Sequence, residues 1–292
     1  MNLTKTLAGA VFATALFNSI SLSCAESSMP AGLPNAFFAM DTGTKDANHQ
    51  APESQAQLVK ELGYAGIGCG IDQMPAMLPA VDQHGLKLFA VYTGLEIGAG
   101  GTVSGQLKKL VEQLHGRDTF IWLYLTSKQH KPSAAEGDQE AVKILREVAD
   151  LTKAANLRVA LYPHSGFWLE RVQDAVRVAK KVDRDNVGVT FNLCHCLKVG
   201  DEAKIPELLA LARPRLFVVT LNGADHEGNW DRLIQTLDRG AFDVLPVARK
   251  LKELGFTGPI GLQHYGIKGD ARENLKRSLD GWRSLSTRAA QP

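Results

Sequence analysis

Leu161-Tyr-Pro-His-Ser-Gly-Phe-Trp168 is the stretch of this 292-residue chain from which the fold can be worked out. It follows a short run, Arg158 to Leu161, and it leads into an amphipathic helical pattern from Leu169 to Val182. A strand that ends in polar and aromatic residues directly before a helix is how a β/α unit presents an active site. The stretch therefore predicts one such unit, with functional residues at the carboxyl end of its strand.

Three later apolar runs also end in polar residues. They are Val187 to Phe191 before Asn192-Leu-Cys-His-Cys196, Leu216 to Leu221 before Asn222-Gly-Ala-Asp225, and Pro259 to Leu262 before Gln263-His-Tyr-Gly266. The carboxyl ends of parallel strands lie together in α/β barrels. We therefore expect the ends of these strands, and Asp41 at the end of the first strand, to surround one mouth.

The alternation of short apolar runs and helical patterns extends over most of the chain. The predicted strands are 35–40, 64–69, 87–92, 119–125, 158–161, 187–191, 216–221 and 259–262. The predicted helices are 54–62, 73–84, 103–115, 138–155, 169–182, 205–212, 242–254 and 270–285, and Asp270 is expected to cap the last of them. Such alternation predicts parallel pairing with right-handed crossovers. Eight units favour a single (β/α)8 TIM barrel, and the first strand lacks the Gly-x-Gly-x-x-Gly turn of a dinucleotide-binding sheet.

The first residues have the pattern of a secretory signal. Lys5 supplies the positive charge, residues 7–17 are apolar, and Ser23-Cys-Ala25 is a small-x-small cleavage site. This pattern predicts a periplasmic or secreted protein. Lipid attachment through Cys24 is the alternative, although Ser21 stands where a lipoprotein signal has a branched apolar residue.

The predicted domain organisation is simple. It consists of a signal peptide (1–25), a disordered lead-in (26–34), the TIM-barrel domain (35–287) and a tail (288–292). No later run has the length and apolar character of a membrane span. The formal net charge of +2 gives no indication of a nucleic-acid partner or of an anionic membrane surface. The oligomeric state has no signature in the sequence.

Three cysteines follow residue 25: Cys69, Cys194 and Cys196. An odd and small number of cysteines argues against a disulfide framework. We interpret the three thiols as small buried hydrophobic groups, although Cys194-His-Cys196 also admits a metal site.

Four short sequence motifs together resemble those of the xylose isomerase-like TIM barrels, the superfamily of AP endonuclease family 2. In order, they are Leu62-Gly-Tyr-Ala-Gly-Ile67, Tyr162-Pro-His164, Asn192-Leu-Cys-His195 and Gly258-Pro-Ile-Gly261. A closer resemblance is to exported bacterial sugar phosphate isomerase/epimerase-like proteins. It is carried by Asn222-Gly-Ala-Asp225, Leu233-Ile-Gln235, Gly261-Leu-Gln-His-Tyr265 and Gly269-Asp270. The resemblance covers nearly all of the chain after residue 25, and it implies a barrel that acts on a small-molecule carbohydrate.

The resemblance also implies where a divalent metal would bind. Sugar epimerases of this group have Glu, Asp, His and Glu ligands after strands five to eight. The matching residues here are Tyr162, Asn192, Asn222 and Gln263. Hard cations prefer carboxylate oxygens, and a phenol with three amides offers no negative charge. We therefore expect no metal cofactor at this position.

A metal elsewhere in the site remains open. A zinc site built from His164, His195, His264 and Asp225 is one alternative, because imidazole is a good zinc ligand. The endonuclease branch is not expected, because it needs a cluster of several zinc ligands.

His164 and His195 are the candidate catalytic residues, because histidine titrates near neutral pH. In a metal-free site an enolate needs hydrogen-bond donors instead of a cation. With His195 as the proton-transfer group, we expect Asn222, Gln263 and a protonated His164 to be those donors. The alternatives are that His195 only caps the segment that follows it and that His164 is an ordinary loop residue.

Other residues at the strand ends are candidates for substrate binding. The amides of Asn192, Asn222 and Gln263 suit sugar hydroxyls. The remaining candidates are Tyr162, Trp168 and Tyr265 as aromatic contacts, Lys198 and Lys268 as electrophiles, and Asp225 and His264 as polar contacts. Alternatively, Trp168 belongs to the core, and the two lysines are solvated on the surface.

Three functions are consistent with the sequence. The first is an exported enzyme that isomerises, epimerises or eliminates across a carbonyl-bearing sugar by histidine-mediated proton transfer. The second is a carbohydrate-binding relic without turnover. The third is a metal-dependent epimerase with rearranged ligands.

Overall fold

Eight parallel strands form a closed barrel in sequential order, with β8 paired to β1. The strands are β1 (Phe37–Met40), β2 (Gly66–Gly70), β3 (Lys87–Ile97), β4 (Phe120–Ser127), β5 (Arg158–Leu161), β6 (Val187–Asn192), β7 (Leu216–Leu221) and β8 (Ile260–Leu262). The computed structural model describes residues 32–98 and 102–291. The predicted signal at 1–25, including Cys24, lies outside the described residues, as do residues 26–31 of the lead-in. The predicted (β/α)8 TIM barrel is confirmed.

Helices follow the strands in sequence, and the longer ones cover the outside of the barrel. They are α1 (Pro52–Leu62), α2 (Met74–Gln83), α3 (Gly105–Gln113), α4 (Asp138–Ala154), α5 (Val172–Val182), α6 (Leu193–Lys198), α7 (Ile205–Ala212), α8 (Trp230–Leu233), α9 (Leu245–Glu253) and α10 (Ala271–Ala290). As predicted, Asp270 caps α10, and its Oδ1 accepts a hydrogen bond from the Glu273 N–H at 2.9 Å. In the described part of the chain, no helix is both long and apolar enough to cross a membrane.

The structure adds two short helices that were not predicted, α6 and α8, and it differs from the predicted elements at several boundaries, three of which have a clear physical reason or extend an element. Helix α5 begins at Val172 rather than Leu169, because the Asp174 carboxylate accepts the Arg171 N–H at 3.0 Å and starts the helix there. Strand β3 continues to Ile97 through its pairing with β4. Helix α10 extends to Ala290, so residues 288–290 of the predicted tail are helical.

The core has two layers, because alternate strand residues face the barrel interior and the helices. The interior is filled mainly by large rings. Its residues are Phe38, Met40, Phe89, Ala90, Phe120, Trp122, Ala160, Tyr162 and Val218. The Trp122 indole N–H donates to the Thr190 hydroxyl at 2.7 Å, so this buried polar group has a partner. The packed interior forms the floor under the carboxyl ends of the strands.

Gly66 on β2 has no space for a side chain. A Cβ atom there would overlap the carbonyl oxygen of Lys87, which belongs to the paired backbone of β3 and cannot move aside. We expect Gly66→Ala to lower the free energy of unfolding by about 2 kcal/mol or more, as overpacking does. Gly70 lies on the same strand, and a Cβ there would meet nothing within 4 Å. Gly70→Ala is therefore the control, and equal denaturant midpoints for the two variants would contradict the prediction.

Candidate functional site

A cavity of about 470 Å³ lies at the carboxyl ends of the strands. Five of the predicted site residues line it: Tyr162, His164, His195, Gln263 and Tyr265. Much of the remaining wall consists of further aromatic rings, namely Tyr92, Trp122 and Trp230. The volume is in the range of sites for small molecules.

Three strand ends converge on the hydroxyl oxygen of Tyr162. Asn192 at the end of β6 approaches this oxygen with its Nδ2 at 3.0 Å. Gln263, directly after β8, approaches it with Nε2 at 3.4 Å. Asn192 is also the N-cap of α6, because its Oδ1 accepts the backbone N–H of His195 at 3.2 Å. One asparagine thus connects the phenol to the helix that carries His195.

The two predicted catalytic histidines lie side by side, with ring centroids 4.0 Å apart. The His164 ring stacks on Phe167 at 3.9 Å with the planes 14° apart. The His195 ring packs edge-on against Trp230, with the centroids 5.2 Å apart. These contacts fix the orientation of both imidazoles at the wall of the cavity.

Ser165 determines the tautomer of both imidazoles. Its carbonyl oxygen lies 2.9 Å from Nδ1 of His164 and can only accept, so that nitrogen carries the hydrogen. Its backbone N–H donates to Nδ1 of His195 at 3.3 Å, so that nitrogen is bare. When both rings are neutral, His164 has a lone pair on Nε2 and His195 has an N–H on Nε2.

Burial lowers the pKa of both histidines. Desolvation is the main cause for His164, whose pKa lies below its ordinary value. The pKa of His195 lies well below its ordinary value because of burial and, to a smaller extent, the adjacent His164. Both rings are therefore neutral at pH 7. This corrects the expectation of a protonated His164. The tautomers set by Ser165 make His164 rather than His195 the ring whose Nε2 has a free lone pair.

Asn222 and Asp225 do not line the cavity. The Asn222 amide donates to the carbonyl oxygens of Gly223 at 2.8 Å and Leu233 at 2.7 Å. Asp225 forms an ion pair with Arg232 and accepts the Ala241 N–H at 2.8 Å. Both side chains therefore organise the segment 223–240, which we call the β7 loop, instead of meeting a substrate.

Three more predicted contacts also lie away from the cavity wall. Trp168 is only 2% exposed and donates its indole N–H to the Ala134 carbonyl at 2.9 Å, so its ring belongs to the core. Lys198 is exposed, and its Nζ lies 3.1 Å from the Gly228 carbonyl. Lys268 is exposed on the loop after β8. Asp41 follows β1 and accepts the Gly70 N–H at 3.1 Å, and burial raises the pKa of its carboxyl group.

His264 is buried with 2% exposure, and neither ring nitrogen has a hydrogen-bond partner within the described residues. Gly43 makes room for it, because a Cβ on Gly43 would lie 2.6 Å from Nδ1. The ring lies outside the cavity wall, so its predicted contact with a substrate has no support from its position. Burial lowers its pKa from 6.5 to about 4.

We expect the buried His264 to make stability fall in acid. The unfolded state gains a proton below about pH 6.5, whereas the folded state resists protonation until about pH 4. The stability contribution is therefore complete above pH 6.5 and is lost as the pH falls to 4, by up to about 3 kcal/mol. In urea unfolding, the free energy of unfolding of the wild type should fall relative to that of His264→Leu as the pH is lowered from about 6.5 to about 4. Parallel curves for the two proteins would contradict the prediction.

The positions that the resemblance implies for a metal do not fit one in this chain. Tyr162, Asn192 and Gln263 direct their polar atoms at one another, and Asn222 bonds to the β7 loop. Among residues 32–98 and 102–291, no three His, Cys, Asp or Glu side chains are grouped so as to hold a metal ion. The alternative zinc site is not assembled either, because His164, His195, His264 and Asp225 form no such group in this part of the chain.

The cysteines show no metal-binding arrangement. Cys69, Cys194 and Cys196 are free thiols, and all three are buried. Burial raises the pKa of Cys194 and of Cys196 to about 12, so both remain protonated. This placement agrees with their interpretation as small buried groups.

The sequence reasoning missed three aromatic residues of the cavity wall: Tyr92, Trp122 and Trp230. Tyr92 and Trp122 are partners across β3 and β4, and both point into the barrel. Their alternation with outward-facing neighbours was a usable signal. Trp230 comes from a one-turn helix in the β7 loop, and no local pattern marks it.

Comparisons with known proteins agree with this architecture. Residues 56–285 match the family described as xylose isomerase-like TIM barrel. An uncharacterized protein of Methanocaldococcus jannaschii is 26% identical over 110 residues. That match spans 37% of this chain and only 36% of the relative.

Solved structures with a similar fold include proteins that act on sugars. The apo 3-keto-D-glucoside 4-epimerase from E. coli has a TM-score of 0.69 at 14% identity, over 86% of this chain and 99% of that one. The IOLI protein with a bound zinc atom has a TM-score of 0.70 at 17% identity, over 86% of this chain and 98% of that one. At these identities the similarity is one of fold.

Proposed function

Because this chain belongs to the xylose isomerase-like TIM barrel family, we propose that it is an enzyme that moves a proton beside the carbonyl group of a sugar. The reaction class is isomerisation, epimerisation or elimination. The observation that carries the proposal is the pair of neutral histidines at the cavity. Ser165 holds them so that one has a free lone pair and the other a free N–H.

His164 is the base in this proposal. Its Nε2 lone pair takes a proton from the carbon next to the carbonyl, and the electrons of the broken C–H bond form an enolate. The Nε2–H of His195 donates a hydrogen bond to a substrate oxygen. In an isomerisation, the protonated His164 returns its proton to the former carbonyl carbon, while the proton of the adjacent hydroxyl group passes to the enolate oxygen and leaves the new carbonyl. In an elimination, it gives the proton to a departing β-oxygen. A single lone pair favours these one-face outcomes over a two-base epimerisation.

A carbohydrate suits the walls of the cavity. Trp230 and the exposed ring of Tyr265 offer flat apolar faces on which a sugar ring can stack, and Gln263 offers an amide for hydroxyl groups. An oxidised sugar is the favoured substrate class, because a ketone makes the neighbouring C–H more acidic. The similar fold of a 3-keto-D-glucoside 4-epimerase supports the choice of a keto-sugar.

The proposal is tested by proton exchange. The purified protein is incubated in deuterium oxide with methyl 3-keto-D-glucoside, and in a separate reaction with D-fructose, with and without chelator. Proton NMR should show loss of the C–H signal beside the carbonyl, at the same rate in chelator. Binding without exchange would favour a carbohydrate-binding relic. Exchange that requires added Mn²⁺ or Zn²⁺ would favour a metal-dependent epimerase with rearranged ligands.

The location of the enzyme is part of the proposal. The signal pattern in residues 1–25 supports export to the periplasm or the medium. We expect N-terminal sequencing of the protein from the periplasmic fraction to begin at Glu26. A mature protein that retains residues 1–25 in the cytoplasm would contradict this expectation, and a lipid-modified Cys24 would favour the lipoprotein alternative.

A further inference from the structure

The Tyr162 phenol is held rigidly beside the two histidines. Its ring centroid lies 5.5 Å from that of His195 and 5.9 Å from that of His164, and both contacts are edge-on. On another side it packs against Trp122, with the centroids 4.4 Å apart. The hydroxyl group therefore has a fixed place next to the acid–base pair.

The orientation of the Asn192 amide determines whether the phenol oxygen of Tyr162 faces an N–H donor or a carbonyl oxygen. Oδ1 of Asn192 must face the backbone N–H of His195, because an N–H group can only donate. The NH2 end of the same amide is consequently turned to the hydroxyl of Tyr162. Gln263, directly after β8, approaches the same hydroxyl oxygen with its Nε2.

The Tyr162 hydroxyl accepts hydrogen bonds from two N–H donors, and its own hydrogen has no acceptor among the described residues. The lone pairs of the oxygen are engaged by Asn192 and Gln263. Within residues 32–98 and 102–291, the Tyr162 O–H donates to no acceptor. Gln263 and Tyr162 both line the cavity, so a substrate oxygen can approach this hydrogen there.

We propose that the Tyr162 hydroxyl is a catalytic residue that donates a hydrogen bond to the enolate oxygen, with Asn192 and Gln263 as its positioning residues. This inference rests on the proposed function, since it needs an enolate. As His164 removes the proton from carbon, negative charge develops on the carbonyl oxygen, and the O–H bond of Tyr162 stays intact throughout. The two amide N–H groups polarise the phenol and strengthen its donor character.

The environment keeps the phenol protonated. Burial raises its pKa well above the ordinary value, so the hydroxyl retains its hydrogen at neutral pH. The resemblance implies a cation at these same strand ends in metal-dependent sugar epimerases. In this chain a neutral network of a phenol and two amides would do the corresponding work.

The decisive variant is Tyr162→Phe, which keeps the ring and removes the hydroxyl. Deuterium exchange into methyl 3-keto-D-glucoside should slow by about 10²- to 10³-fold, the usual effect of removing one oxyanion donor. The affinity for the same keto-sugar, measured by tryptophan fluorescence, should change less than about 3-fold, because the hydrogen bond strengthens mainly in the enolate. Tyr64→Phe is the matched control. It removes another buried phenol hydroxyl, which donates to the Leu275 carbonyl at 2.8 Å on the outer side of the barrel, and it should leave exchange unchanged.

A spectroscopic readout separates catalysis from packing. With the carbonyl carbon labelled with ¹³C, the infrared band of the bound keto-sugar should lie at lower frequency in the wild type than in Tyr162→Phe. Gln263→Leu, which leaves the phenol in place, should shift the band part of the way toward Tyr162→Phe. This second variant keeps the test decisive if Tyr162→Phe does not fold.

The outcomes distinguish the two proposals. If the wild type exchanges deuterium and Tyr162→Phe exchanges within 3-fold of it, with an unchanged carbonyl band, this inference is overturned and the proposed function stands. If the wild type exchanges with neither sugar, the proposed function fails, and the role of Tyr162 fails with it.

Discussion

Replacing His164 with glutamine should lower the rate of proton exchange by about 10²- to 10⁴-fold, the range expected for loss of a general base. Glutamine can fill the space and donate a hydrogen bond, but it has no lone pair basic enough to accept a proton from carbon. Keto-sugar affinity should change only a few-fold, because the stacking surfaces of the cavity remain. His84→Gln is the control, since His84 pairs with Glu53 on the outer surface.

The pH dependence of the exchange rate is a second test of His164 as the base. The base must be neutral, and burial lowers the pKa of His164, so the active form persists below the ordinary histidine pKa of about 6.5. We expect a constant exchange rate from pH 8 to about 6.5 and a decline only below that, on the acid side. A rate that already falls between pH 8 and 7 would identify a different base.

The second large effect is expected for Asn192→Asp. The carboxylate can still accept the His195 N–H through one oxygen, but its other oxygen then faces the Tyr162 hydroxyl in place of an NH2 group. A carboxylate there would accept the phenol hydrogen and would repel the forming enolate. The exchange rate without metal should fall by about 10²-fold or more, comparable to loss of one oxyanion donor.

This substitution also tests the metal alternative, because it restores one of the carboxylates that the resemblance implies. Addition of Mn²⁺ should not recover the activity of Asn192→Asp. Recovery above the wild-type rate would identify a weakened metal-dependent epimerase and would contradict the proposed chemistry. Asn156→Asp, an exposed asparagine on the turn between α4 and β5, is the control for adding a negative charge.

The fold was predictable because its signal is repeated. A parallel strand covered on both sides must be apolar throughout, and eight such runs alternate with amphipathic helices. An observed helix boundary differs from the predicted one where a capping interaction starts the helix. Asp174, for example, starts α5 three residues later than the apolar pattern indicates.

The site was predictable only in part, because a sequence places residues along a strand but does not orient the side chains of a loop. Tyr162, His164 and Gln263 come at strand ends, and they reach the cavity as expected. Asn222 occupies an equivalent position, yet its amide turns to the carbonyl groups of the β7 loop. The protonation of His164 depends on burial and on Ser165, and neither is visible before the chain is folded.

The β7 loop has a consequence for how this barrel could acquire new substrates. Its own ion pair, Asp225 with Arg232, and its anchor to Asn222 hold the segment together, while Trp230 and Ile234 reach the cavity from it. The reacting groups and the aromatic floor come from other strands, chiefly β4, β5 and β6. Mutation and selection can therefore remodel one wall of the cavity while His164 and Tyr162, which come from the end of β5, are inherited unchanged, and loops of this kind are where such divergence accumulates.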